Sequence, residues 1–243
     1  MALQWSTTSQ QSTSNGVKML VHAPAGTGKT VLCASLPAPI ILSAEAGLLS
    51  LSRANIERIY GVGTSGISYD IPVINVKTVD DLTEAYVWLT THPQAQQFKS
   101  VALDSISEIA EVIFSNAKKQ VKDNRQAYGE LNEKLAMTIR MYRDIPGKNV
   151  YMTAKQGNVT DAVSGVTKYS AIMPSKSTSE GLAYYFDEVF RLGVGLDAAS
   201  GQRYRFLQTQ PDLQYDAKDR SGVLAPIEPP HLGAIISKIT GVL

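Results

Sequence analysis

The chain has 243 residues, of which 44% are hydrophobic and 19% charged, enough for one α/β domain with a packed core. Its 23 Lys and Arg nearly balance 22 Asp and Glu, and a net charge of +1 excludes a whole-molecule basic field, so any polyanion site needs local clustering. A single cysteine, Cys33, excludes an internal disulfide. No apolar run reaches membrane-span length, and Met1 to Gly16 lacks the basic and apolar parts of a signal peptide, so the cytoplasm of a cell or of an infected host is the expected location.

Residues 1–16, MALQWSTTSQQSTSNG, are rich in Ser, Thr and Gln and read as a flexible N-terminal arm. Leu3 and Trp5 leave two readings open, a linker or an arm that docks on a neighbouring subunit. Residues 17–243 are expected to form a single core. Val17 to Val21 is a short apolar run before a Gly-rich turn, the pattern of a buried parallel strand. Thr30 to Leu36 predicts a helix stopped by Pro37, and Pro39 to Ser43 and Val73 to Val76 predict two further strands. Asp80 to Thr91 has helical spacing, with Thr78 or Asp80 as N-cap. Ser100 to Leu103 predicts a strand, Ser105 to about Gln120 a helix, and Gln126 to Tyr142 another helix with Leu131, Leu135, Ile139 and Tyr142 on one face. Asn149 to Thr153 returns to strand, and the polar stretch Lys155 to Glu180 reads as a long functional or mobile loop. Glu188 to Val194 and Arg203 to Thr209 predict a C-terminal β-hairpin, and His231 to Ile239 a closing helix. Short apolar strands alternating with helices predict an α/β fold, a mostly parallel central sheet with helices on both faces.

The segment Ala23-Pro24-Ala25-Gly26-Thr27-Gly28-Lys29-Thr30 matches a phosphate-binding loop, [AG]-x-x-x-x-G-K-[ST], in the required place between strand and helix. Gly26 and Gly28 let the backbone N–H groups turn inward onto phosphate oxygens. Lys29 would reach the β- and γ-phosphates of ATP, and the Thr30 hydroxyl would ligate magnesium. Ala23 stands where Gly is commoner, and only a small side chain is needed there. Asp104 ends the apolar strand Ser100–Leu103, where a carboxylate would hold magnesium through water; its alternative is capping the next helix, which Ser105 could do instead. Glu45 ends the strand after the loop's helix and could orient or deprotonate the attacking water, the alternative being a surface Glu at a strand end.

A Glu closing the strand after the phosphate-loop helix resembles the RecA-like ATPases. The pieces A-P-A-G-T-G-K-T, S-A-E-A-G, V-A-L-D-S-I-S, Q-A-Y-G-E-L-N-E, N-V-Y-M-T-A-K and D-A-K-D-R-S-G resemble more closely the phage-encoded RecA-like P-loop ATPases. That family includes AAA-type phage nucleotide-binding proteins and Sak-type single-strand annealing proteins with a RecA core. The resemblance spans about Val17 to Ile239. It implies a DNA-stimulated ATPase that converts ATP to ADP and phosphate and assembles into a ring or filament with ATP at subunit interfaces. It also implies binding of single-stranded DNA to promote annealing or recombination, with a single-strand DNA-binding protein as a further partner. By the same resemblance Lys218 and Arg220 would reach a neighbour's γ-phosphate, where composition alone gives a solvated turn. Gln156 matches the strand end where such proteins sense the γ-phosphate.

The resemblance places a DNA-lining loop at Lys155 to Glu180, where Lys168 and Lys176 offer charge and Tyr169 a stacking face. Lys122 and Arg125 belong to a basic segment, Lys118 to Arg143, that reads equally as a solvated helix surface. Two other readings share the phosphate loop: a helicase-like DNA motor, for which so short a chain shows no accessory domain, and a nucleotide-gated DNA-binding module with little hydrolysis. His22, His92 and His231 lack metal-ligand spacing, and Cys33 and Trp88 read as core.

Overall fold

The computed structural model describes residues 7–8, 15–45, 47–121, 123–160 and 165–241. Leu3, Trp5, Lys122 and Asp161 lie outside the described residues, as does most of the expected arm. Ten strands form one sheet: β1 (Lys18–Ala23), β2 (Pro39–Ser43), β3 (Val73–Asn75), β4 (Ser100–Asp104), β5 (Asn149–Thr160), β6 (Thr167–Ile172), β7 (Glu188–Leu196), β8 (Arg203–Gln208), β9 (Lys218–Asp219) and β10 (Ile227–Glu228). The order across the sheet is β10-β8-β7-β1-β5-β4-β2-β3, with β6 against β5 and β9 against β7. The pairs from β7 through β1, β5, β4 and β2 to β3 are all parallel, and the antiparallel pairs lie at β6, β8, β9 and β10.

Strand alternation sorts the apolar residues onto two faces. On one, Leu20, Leu42, Leu103 and Met152 pack under α2 (Val79–Thr91), α3 (Ile106–Gln120) and α4 (Asn124–Arg143). On the other, Met19, Val21, Ile41 and Phe190 pack under the 3-10 turn Thr30–Ser35 and α6 (Leu232–Thr240). Each fully buried Leu, Ile or Phe contributes about 1.5–3 kcal/mol of transfer free energy, so the two clusters hold the helices to the sheet. Thr78 caps α2 in a reciprocal box with Asp81, Ser105 caps α3, and His231 caps α6.

The α/β class, the parallel centre, the two helical layers and the β7–β8 hairpin follow the sequence pattern. Two local expectations need correction, and one helix has no counterpart in the sequence reading. Thr30–Ser35 is a 3-10 turn and not an α-helix, because Leu36 precedes Pro37 and takes extended geometry (φ −78°, ψ 146°), leaving too few residues for two α turns. Among its described residues the stretch Lys155 to Glu180 is mostly a strand pair and a helix, not a loop. β5 runs on to Thr160, seven residues beyond Thr153, and returns antiparallel as β6, with Lys155↔Ile172 at the base of the ladder and α5 (Lys176–Gly181) following. This hairpin stands at the edge of the core, so it needs few apolar residues and its composition resembles a loop. Finally, α1 (Arg53–Tyr60) buries only Ile56 and has too sparse an apolar stripe to read from sequence.

At the amino ends of β1 and β7 the carboxyl of Glu188 is 1% exposed, and it sits opposite Asp219 in the β7–β9 pair. Its Oε1 accepts the Ser221 N–H (3.3 Å), while Oε2 has no hydrogen-bond partner among the described residues. Burial, then the Asp219 charge, pushes its pKa from 4.5 up to about 8. The folded chain therefore keeps a proton that the unfolded chain releases. The resulting stabilisation is complete below 4.5 and is lost as pH rises to about 8. Thermal melts of Glu188→Gln should remove most of this fall, since the amide stays neutral. Parallel melting curves for both proteins across that window would show that Glu188 titrates normally.

Candidate functional site

β1 ends at Ala23, and the chain turns through Pro24 to Gly28 before the Thr30 turn. Gly26 (φ +74°) and Gly28 (φ +108°) take left-handed conformations that strain any residue with a Cβ, which is why the loop needs glycine there. The Thr27 hydroxyl donates to the Pro24 carbonyl (2.9 Å), and Tyr151 OH donates to the Lys29 carbonyl (2.8 Å), bracing the loop from within and from β5. Lys29 Nζ folds across the loop onto the Ala23 and Pro24 carbonyls (2.9 and 3.1 Å). Burial lowers its pKa, and the charges of Asp104 and Glu45 oppose that shift. Since the element after the loop is a short 3-10 turn, little macrodipole is available. Anion attraction rests on the loop N–H groups and Lys29.

The parallel register sets the carboxyl ends of β1 and β4 beside the first half of β5, with Val21 opposite Thr153 and Leu103 opposite Met152. Asp104, 2% exposed, closes β4 and accepts two hydroxyls, Thr30 Oγ1 on Oδ2 (2.7 Å) and Thr153 Oγ1 on Oδ1 (2.5 Å). Ser105, not Asp104, caps α3, donating its Oγ to Glu45 Oε1 (2.8 Å) while accepting the Glu108 N–H (3.3 Å). Glu45 is otherwise exposed at the end of β2. A cavity of about 980 Å³ is lined by Ala25, Gly26, Gly28, Lys29, Thr30, Glu45, Asp104 and Gln156, so the loop and the carboxylates from β2 and β4 share one space. Pro24, exposed, and Thr27, half-buried, are not among the residues that line it. The Thr30 hydroxyl beside the Asp104 carboxylate is a hard-oxygen pair suited to magnesium, which takes few protein ligands and completes its shell from phosphate and water. Among the described residues no cluster of three or more His, Cys, Asp or Glu could hold a metal ion by itself.

Gln156 reaches the same cavity, with its Oε1 3.2 Å from His22 Nδ1. His22 is fully buried, its Nε2 2.8 Å from the Asp216 carbonyl, and burial lowers its pKa toward the neutral ring. Lys218 and Arg220 are not brought to this chain's phosphate loop. They lie at the opposite end of the sheet, where Lys218 Nζ donates to the Phe186 and Ala183 carbonyls (2.6 and 3.1 Å) and Arg220 pairs with Asp187 (2.8 Å). The residues considered for DNA are dispersed. Arg125 is exposed in the first turn of α4, Lys176 is exposed at the start of α5 and 3.7 Å from Glu180, and Lys168 is exposed on β6. Tyr169 follows Lys168 and so faces the other side of β6, where its ring stacks on Tyr215 (5.0 Å between centroids). Much of the basic segment is locally engaged: Lys118 over Phe114, Lys134 with Glu130, Arg140 over Tyr185 and Arg143 with Asp144.

Several cavity residues escape a sequence reading. Arg58 and Arg205 come from α1 and β8, and no local motif marks them. Lys155 also lines the cavity and is paired with Glu108.

The AAA domain family matches residues 15–221. No curated protein matches the chain. Similar solved structures include a KaiC-like protein from the hyperthermophilic archaeon Pyrococcus horikoshii OT3 (17% identity, 80% of this chain and 79% of that one, TM-score 0.41). Others are the RadB recombinase (15% identity, 89% and 91%, TM-score 0.46) and the flagellar accessory protein FlaH from Methanocaldococcus jannaschii (14% identity, 84% and 80%, TM-score 0.41).

Thr153→Val removes one of the two hydroxyls on a buried carboxylate at nearly constant volume. Urea unfolding should show a loss of about 1–3 kcal/mol. An unchanged midpoint would mean that water from the cavity replaces the hydroxyl.

Proposed function

The chain belongs to the AAA domain family, and from that premise we propose that it is a RecA-like ATPase that works on single-stranded DNA as an oligomer. The observation that carries the reading is the Asp104 carboxylate tied to Thr30 in one cavity with Lys29 and Glu45. In this reading the N–H groups of Ala25 to Thr30 bind the phosphates of ATP, and Lys29 leaves the Ala23 and Pro24 carbonyls for the β- and γ-phosphates. Thr30 and Asp104 hold magnesium, which supplies charge neutralisation at the phosphates. Glu45, positioned by Ser105, orients and deprotonates the attacking water, and Gln156, steadied by His22, meets the γ-phosphate.

Lys218 and Arg220 stand away from this chain's own loop, so their role at a γ-phosphate is one between subunits. Each would exchange its present partner, the Phe186 and Ala183 carbonyls or Asp187, for phosphate oxygens. Arg125, Lys168, Lys176 and Tyr169, with Lys122, remain the proposed DNA contacts, the exposed lysines through phosphate. Single-strand annealing or recombination in a phage, inside the host cytoplasm, is the biological setting this reading gives. Among the described residues no helix is long and apolar enough to cross a membrane.

ATP turnover measured with and without single-stranded DNA, over a dilution series, tests the proposal. Turnover per chain should rise with DNA and fall on dilution; a specific activity constant down to monomer concentrations would sink the shared-site reading. Glu45→Gln should retain ATP binding and lose about 10²–10⁴-fold in turnover. Removing Lys168 and Lys176 together should flatten the salt dependence of DNA binding by about 0.7 per lost phosphate contact.

A further inference from the structure

Arg205 lies on β8, and its guanidinium rests against the phosphate loop. Its Nη1 stands 2.7 Å, and its Cζ 3.2 Å, from where a Cβ at Gly28 would be. Strand alternation puts Arg203, Arg205 and Leu207 on one face of β8, and Leu207 is buried in the same cluster as Leu32 of the turn that follows the loop. The β7–β8 ladder, with Val194 opposite Arg205, and the β1–β7 ladder fix this approach through backbone hydrogen bonds.

The residue also marks a junction. It lines the phosphate cavity and an adjoining pocket of about 260 Å³ walled by Leu32, Tyr60, Leu192 and Pro230. Gly28 and Arg58 are shared in the same way, whereas Glu45, Asp104 and Gln156 line the first cavity alone. Arg205 therefore stands at the end of the phosphate cavity away from the carboxylates that would serve metal and water.

Arg53, Arg143 and Arg220 each pair with a carboxylate, but Arg205, half-buried, has none within ion-pair distance among the described residues. A guanidinium partly withdrawn from water without a counter-charge is costly, and its planar fork matches two phosphate oxygens. We propose that Arg205 is a phosphate ligand supplied in cis, contacting the phosphates that ATP and ADP have in common. This rests on the nucleotide reading of the cavity. It gives the β7–β8 hairpin a direct hold on bound nucleotide, and it gives Gly28 a reason beyond its φ, since a side chain there would displace the guanidinium.

Binding of a fluorescent ADP analogue and of its ATP counterpart, with magnesium, tests this on the wild-type, R205Q and R205K chains. R205Q should bind both nucleotides about 10- to 100-fold more weakly, by the same factor, and R205K should fall between. Without nucleotide, neither variant should melt below the wild type, and R205Q, relieved of the unpaired charge, should melt at or above it. R205Q binding ADP within about twofold of wild type overturns the inference, and so does a loss confined to ATP, which would place the contact at the γ-phosphate. If R205Q does not fold, R205K decides, and wild-type ADP affinity in R205K overturns the forked contact. A wild-type chain that binds neither nucleotide removes the nucleotide reading itself, and is distinguished because the failure precedes any substitution.

Discussion

A buried carboxylate at the end of β4 is the point on which the site depends. Asp104 is almost wholly removed from water, and such a charge is tolerable only when its lone pairs are used. Two threonine hydroxyls use them, one from the phosphate loop and one from β5. The same interaction thus answers a desolvation cost and sets the distance between loop and sheet. Ser105, next in the chain, caps α3 and holds Glu45, so the ends of β2 and β4, the first half of β5 and the start of one helix meet within a few residues of Asp104.

Around that point the chain separates two kinds of surface. The carboxyl ends of the parallel strands carry the loop, the metal-suited oxygens and the cavity. The amino ends carry buried polar groups that serve the fold. Lys18, its pKa lowered to about 8 by burial, donates to the Lys148 carbonyl, and Lys148 in turn donates to the Ala95 and Phe98 carbonyls. Glu188 shares a corner with Asp219, whose carboxylate is held low, against the effect of burial, by the Ser221 hydroxyl and the Gly222 and Leu224 N–H groups. Lys218 and Arg220 belong to this second surface, away from this chain's own phosphate loop.

The sequence shows best what local chemistry encodes. The loop from Ala23 to Thr30, the apolar strand ending in Asp104 and the cap at Thr78 each need fixed residue types at fixed spacing. They appear where that spacing puts them. The 3-10 turn was harder to foresee, because helical composition does not show how Leu36 responds to Pro37. The β5–β6 hairpin was hidden for a different reason. A strand pair at the edge of the core has little apolar alternation to read, and its ladder of backbone hydrogen bonds is indifferent to side chains. Arg205 comes to the loop from 175 residues beyond Thr30, a contact set by strand order alone. Nothing in the residues beside it announces it.

β1 has a neighbour on each side, β5 and β7, and all six of its residues are buried. The loop it supports is held by side-chain bonds and stands open to the cavity. Rigidity therefore changes abruptly at Ala23. Amide protons along β1 can reach solvent only when the sheet itself opens, and they belong among the slowest to exchange in the chain, whereas those of Gly26 to Gly28 exchange without any such event.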